Sequence, residues 1–265
     1  MKYAVCILAC DRGMGTAVID RHLQALRSHV ELRDAEVYLG LQEFSEQTAA
    51  DLRERYGIAG LTLMQGRHPP FFMRQRIVAS APTEADFWVF FDDDLFVTKR
   101  TRFDAMADLA LHPSVGIVAG DYRRDAESYE RAELVHRYRK SPILMLGGGM
   151  VFRRRLAAAI TAGNQPYRFD DSQYCLNAYL AGYENYLYQG SLALHLIFPA
   201  GLRKSSNEIA FVSQDPRWIT TRPNRAGFKL DNNYFITETK DLTAAAWAVH
   251  EVQARLIRRR AGGLL

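Results

Sequence analysis

Cysteine is scarce in this chain of 265 residues: Cys6, Cys10 and Cys175 are the only three. An odd number without CxxC spacing, set in apolar or helical surroundings, argues against a disulfide framework and a structural zinc site. The three read as reduced core residues. Long apolar runs are also missing. No stretch approaches the roughly 18 uninterrupted apolar residues of a membrane span, and Met1-Lys2-Tyr3 runs into a short strand without a signal-peptide pattern. The expectation is a cytoplasmic protein with no stable membrane insertion. A dinucleotide fingerprint is lacking too: Gly13 and Gly15 supply two glycines of GxGxxG, but Val18 holds the third position and no acid clearly ends the second strand. Internal repeats and low-complexity segments are absent.

What is present is apolar material, 48% of the residues, enough for the sizeable core of one large α/β domain or two small ones. Net charge is +4 and unevenly spread. Residues 201–265 hold 11 Lys/Arg against 6 Asp/Glu, whereas residues 1–200 hold 23 against 24. A basic tail suits pyrophosphate, an anionic membrane or nucleic acid, and equally a solvated basic face.

Strands and helices alternate. Tyr3 to Cys10 fits a buried strand, then a polar turn leads to a helix carrying Val18, Ile19, Leu23 and Leu26. Ala35–Leu41 predicts a second strand, Ser45 caps a helix that Gly57 ends after Tyr56, and Leu61–Met64 makes a third strand. Phe71 to Ala81 reads as a helix bearing Arg74. Thr101 and Asp104 are spaced as a capping pair for a helix to Leu111, and Val115–Ala119 is another strand. Helices are expected at Arg154–Ala162, Asp171–Ala181 and Asp241–Arg260, with irregular chain from Pro199 to Tyr234. The pattern implies an α/β fold with parallel strands and crossover helices.

The chemistry concentrates at Asp92-Asp93-Asp94, where the apolar run Phe87-Trp88-Val89-Phe90-Phe91 ends. Alternation along a strand points Asp92 and Asp94 to one side and Asp93 elsewhere, so the outer two can share a hard cation at the carboxyl edge of the sheet. An acidic turn that merely stops a strand is the alternative. Asp11 and Arg12, after the first strand, lie on the same ligand-binding edge and could face a nucleotide.

The order of Met73-Arg74-Gln75, Phe91-Asp92-Asp93-Asp94, Gly147-Gly148-Gly149-Met150-Val151-Phe152, Phe169-Asp170-Asp171 and His195 resembles the nucleotide-sugar-dependent glycosyltransferases of the GT-A fold. It is closest in pattern to the mostly inverting family 2, over about residues 3 to 200. The resemblance implies a single GT-A, Rossmann-like domain at residues 1–198, with a mostly parallel central sheet flanked by helices. Residues 1–98 would form the nucleotide-binding half and 99–198 the acceptor half, with 199–265 a basic loop and C-terminal helix packed on it. It implies Mn²⁺ or Mg²⁺ held by Asp94 and His195 with Asp92 close by. Asp92, Asp93, Asp11, Arg12, Arg74, Gly148 and Gly149 would meet the donor. Asp171 would be the general base, Asp170 its rival, since the motif is Asp-Asp where Glu-Asp is usual. Arg203 and Lys204 would close over the pyrophosphate. No QxxRW pattern follows the base and no membrane helix accompanies it, which suits single transfer over polymer synthesis.

The implied activity is transfer from a nucleoside-diphosphate sugar, UDP-linked by preference, to a carbohydrate hydroxyl. A hydroxymethylated pyrimidine in DNA is the alternative acceptor that the basic tail would suit. From other classes, a nucleotidyltransferase would also use strand-end carboxylates, and a noncatalytic nucleotide-sugar or nucleic-acid binding module would need only the basic tail. The sequence does not indicate an oligomeric state.

Overall fold

The structure, a computed structural model, describes residues 1–11, 15–66, 68, 70–123, 126–140, 149–162, 174–175, 177–179 and 181–195. Four strands open the chain, the first three each followed by a helix where the sequence expects one. They are β1 (Tyr3–Cys10), α1 (Ala17–Ser28), β2 (Glu36–Gln42), α2 (Glu46–Tyr56), β3 (Gly60–Met64), α3 (Pro70–Ser80) and β4 (Phe87–Asp92). Local chemistry sets the limits of α2: the Ser45 side chain accepts from Thr48 N–H at 3.0 Å, and Gly57 closes the helix at φ 60°. β5 (Leu95–Phe96), α4 (Phe103–Ala110), β6 (Val115–Arg123), α5 (Ala126–Arg131), β7 (Tyr138–Lys140), β8 (Met150–Arg153), α6 (Ala157–Ile160) and β9 (Glu184–His195) follow.

Among the described residues all nine strands join one sheet, in the order β3-β2-β1-β4-β8-β6-β9-β5, with β7 on β9. β3, β2, β1 and β4 are mutually parallel, β8 is antiparallel to both β4 and β6, and β9 runs parallel to β6. The apolar run of β4 is buried on both faces, as a central strand requires. Phe87, Val89 and Phe91 pack with Leu23, Leu26, Leu52, Phe103 and Met106 on one side. Trp88 and Phe90 pack with Phe71, Met73, Ile77, Phe152 and Ile160 on the other. Helices thus cover both faces, and the carboxyl ends of β1, β2, β3 and β4 share one edge.

Arg27 stitches the α1 side together. Its guanidinium donates to the carbonyls of Arg33 and Ala35 at 2.9 Å each and to that of Tyr56 at 2.9 Å. One side chain therefore satisfies carbonyls before β2 and at the end of α2.

Two local expectations are corrected. Thr101 does not cap α4: its hydroxyl accepts from Thr98 N–H and donates to the Leu192 carbonyl, while Glu31 accepts from Phe103 N–H at 2.5 Å and Asp104 N–H at 3.2 Å. A cap supplied from another element leaves no local signature. The expected helix at Arg154–Ala162 is shorter, a 3-10 turn at Arg154–Leu156 leading into α6. The helix expected at Asp171–Ala181 is described only at Tyr174, Cys175 and 177–179, where it is helical. Residues 199–265 lie outside the described residues. Among the described residues no helix is long and apolar enough to cross a membrane.

Candidate active site

Asp92 is the last residue of β4, and Asp93 and Asp94 form the turn into β5. The three acids go to three different places. Asp92 Oδ1 meets Arg74 Nη2 at 2.5 Å, and the same nitrogen donates to the Phe91 carbonyl at 3.0 Å. The Arg74 side chain is 2% exposed and that of Asp92 53%. The guanidinium lies over the Phe90 ring at 5.4 Å and the Tyr174 ring at 5.9 Å, an aromatic socket that suits a weakly hydrated cation. This burial leaves Arg74, expected from the sequence on the donor side, directly beneath Asp92. Arg74 acts on Asp92, and Asp92 faces the open edge.

Asp93 is buried and turned inward. Its N–H donates to the Leu8 carbonyl at 3.0 Å and its carboxylate accepts from Cys10 N–H at 3.3 Å, so it ties the turn to the end of β1. Asp93, expected from the sequence to meet the donor, is thus fastened to the end of β1. Behind it stands His22 of α1, whose Nδ1 is 3.4 Å from the Asp93 carbonyl oxygen. Burial pushes the His22 ring down to about 4, with the Asp93 carbonyl and the Asp92 charge opposing that shift, so the imidazole is neutral.

Asp94 and His195 come together. β5 pairs antiparallel with β9, setting Leu95 opposite His195, and His195 Nε2 lies 3.8 Å from Asp94 Oδ1. Their side chains are 19% and 24% exposed, sheltered yet open to solvent on one side. Tyr122 of β6 leans on the His195 ring with centroids 5.5 Å apart. Two donors sharing one ion through bonds of about 2.1 Å lie roughly 3 to 4 Å apart, so the pair fits a small divalent cation. The carboxylate suits Mn²⁺ or Mg²⁺, and the imidazole suits a first-row transition ion. Among the described residues no group of three His, Cys, Asp or Glu side chains converges on a metal-sized space. Asp92 is thus engaged by Arg74 and does not complete a three-membered cluster with Asp94 and His195.

The first three strands finish the edge. Asp11 N–H donates to the Gln42 carbonyl at 3.0 Å, and the Gln42 side-chain oxygen accepts from His68 N–H at 2.5 Å. Glu43 follows β2 with φ 65°, a left-handed conformation rare for a residue with a side chain, and its carboxylate accepts from the Cys10 thiol at 3.5 Å. Such strain concentrates at binding sites. Sequence reasoning passed over Glu43, Gln42 and His22. An acid directly after the second strand was the available signal for Glu43, whereas nothing local marks His22.

Gly149 is buried at φ 84°, and a Cβ there would sit 2.5 Å from Phe91 Cε1. The need for glycine comes from the Phe91 ring, so close approach to a donor is no longer required to explain it. Arg12, Gly148, Asp170, Asp171, Arg203 and Lys204, with Gly147, lie outside the described residues.

No protein-family model and no curated protein matches the sequence. Solved structures do. GalNAc-T7 with UDP, GalNAc and Mn²⁺ superposes with a TM-score of 0.60 at 10% identity, over 76% of this chain and 45% of that one. The chain has the GT-A fold. The GT-A likeness extends to a mannosyltransferase, PcManGT from Pyrobaculum calidifontis, in complex with GDP-Man and Mn²⁺, at a TM-score of 0.57 and 19% identity over 77% of this chain and 59% of that one. Staphylococcus aureus TarS, residues 1–349, follows at 0.52 and 17%, over 74% and 60%. This GT-A chain thus spans between 45% and 60% of the length of these three.

Proposed function

We propose that this chain is a metal-dependent glycosyltransferase that moves a sugar from a nucleoside-diphosphate donor, UDP-linked by preference, to a hydroxyl of a glycan, with inversion. The observation that carries the reading is the meeting of Asp94 and His195 at 3.8 Å on the carboxyl edge of a GT-A sheet. Two of the GT-A structures above contain a nucleotide or nucleotide sugar together with Mn²⁺, which supports the same donor class here.

Asp94 and His195 would hold Mn²⁺ or Mg²⁺. When bound, such a cation stabilises the charge that gathers on the departing diphosphate. Asp92, fixed by the buried Arg74, presents hydrogen-bond acceptors to the ribose without having to be ordered on binding. Asp11 and Glu43 offer carboxylates to the nucleoside from the ends of β1 and β2. Asp171 takes the proton of the acceptor hydroxyl as that oxygen attacks the anomeric carbon from the face opposite the leaving group, and Asp170 is the nearby alternative. Arg203 and Lys204 neutralise the pyrophosphate as it leaves.

The test is incubation of pure protein with Mn²⁺ and a panel of UDP-, GDP-, CMP- and dTDP-sugars. Slow release of free nucleotide, absent without the metal, is the expected result. Pyrophosphate release from a nucleoside triphosphate and a sugar phosphate would replace this reading with a nucleotidyltransferase, and binding without turnover would replace it with a binding module. The anomeric configuration of the product, read by NMR, checks inversion.

A further inference from the structure

His22 is fully buried on α1, with its ring between those of Phe91 and Phe96, each 5.5 Å away between centroids. Those two phenylalanines bracket the acidic turn in sequence. Nδ1 faces the Asp93 carbonyl oxygen at 3.4 Å, a long contact, while Nε2 has no hydrogen-bond partner among the described residues. A carbonyl only accepts, which assigns the ring hydrogen to Nδ1. Burying an imidazole with one nitrogen orphaned costs stability, and a phenylalanine would fill the space between Phe91 and Phe96 without that cost. Packing alone therefore does not account for a histidine.

The contact to Asp93 does. β5 is only two residues long, so its own ladder does little to hold the turn that precedes it. Asp93 is held to β1 through its N–H and its carboxylate; of the bonds described for the turn, the one through its carbonyl runs to α1. That carbonyl shares a rigid plane with the N–H of Asp94, since the peptide bond does not rotate. Holding the oxygen thus fixes the direction in which the backbone enters Asp94.

We propose that His22 is a positioning residue for the metal pair: by holding the Asp93 carbonyl it orients the peptide plane from which Asp94 reaches toward His195. The inference rests on Asp94 and His195 being the metal ligands. Groups that stand behind a ligand in this way set metal affinity without touching the ion.

The experiment compares His22→Phe, which keeps the ring and loses the donor, with His22→Asn, whose amide nitrogen occupies the Nδ1 position. Mn²⁺ binding is read by EPR of the free ion, without donor or acceptor, and folding by thermal melting. His22→Phe should melt at or above the wild-type temperature yet bind Mn²⁺ about 10- to 100-fold more weakly, whereas His22→Asn, though less stable, should stay within roughly threefold of wild type. Wild-type affinity in a folded His22→Phe protein, with Asp94→Ala still losing the metal, overturns the proposal and leaves the metal reading intact. Equal Mn²⁺ binding by wild type and Asp94→Ala overturns both. Should His22→Phe not fold, His22→Leu, which also lacks the donor, takes its place: a loss of affinity of about tenfold or more relative to His22→Asn supports the role, and equal affinity overturns it.

Discussion

On one side of the sheet β3, β2, β1 and β4 run parallel in unbroken register; on the other, β8, β6, β9, β5 and β7 mix directions, and the β6–β9 pairing shifts register twice. The regular half gains a common edge from its topology alone, because every crossover returns the chain to the same end of the sheet. The irregular half must aim individual side chains. It does so with the long strand β9, which crosses from a pairing with β7 to one with β5 and so brings His195 to the acids. The acidic triplet straddles the two. Asp92 belongs to the regular half and is fixed by the helix just before its strand, while Asp94 belongs to the irregular half and meets a residue from far along the chain.

The contrast can be sharpened at four points. Asp94→Ala, which strikes the irregular half's contribution, should lower kcat/KM in metal-dependent nucleotide release by about 1,000-fold, with melting unchanged. Next in size is a pH effect at His22, whose folded value of about 4 lies below the ordinary 6.5. The unfolded chain takes up this proton first, so the stability contribution is full above about pH 6.5 and is lost as pH falls toward 4. Denaturant titration should show wild type losing up to roughly 3 kcal/mol more than His22→Phe across that interval. Gly149→Ala, at the seam between the halves, should cost about 2 kcal/mol through left-handed strain and the displaced Phe91 ring, read as a lower melting temperature. Smallest is Arg74→Met in the regular half. It should leave Asp92 in place but mobile and lower kcat/KM about tenfold, mostly through donor KM. An effect at Arg74 as large as that at Asp94 would break the comparison, since the two acids would then serve one undivided site.

The regular half was legible in the sequence because its signals are local. Ser45 and Gly57 bound α2, and the apolar run of β4 is uninterrupted up to Asp92. β9 was not legible: Glu184–His195 mixes Asn185, Gln189, Gly190 and Ser191 with its apolar residues, and its shifted pairing with β6 removes any simple alternation. β5 and β7, two and three residues long, are defined by partners distant in sequence. For the site, strand alternation would put Asp92 and Asp94 on one side, whereas β4 ends at Asp92 and the turn sends Asp92 to Arg74, Asp93 to Cys10 and Asp94 toward His195. The bonds that divide the acids' tasks, Arg74 to Asp92 and His22 to Asp93, join residues 18 and 71 apart, and no spacing rule reaches that far.

The pairing of Leu95 with His195 spans a hundred residues of chain. Closing so long a loop is slow, and a bridge of two residues returns little until β6 and β9 have already found one another. The β1–β4 half, with shorter separations between partners, can therefore form while His195 is still unplaced. On the proposed metal reading, capture of the ion is a late event in the life of each molecule, and gain of Mn²⁺ affinity during refolding would time the docking of β9.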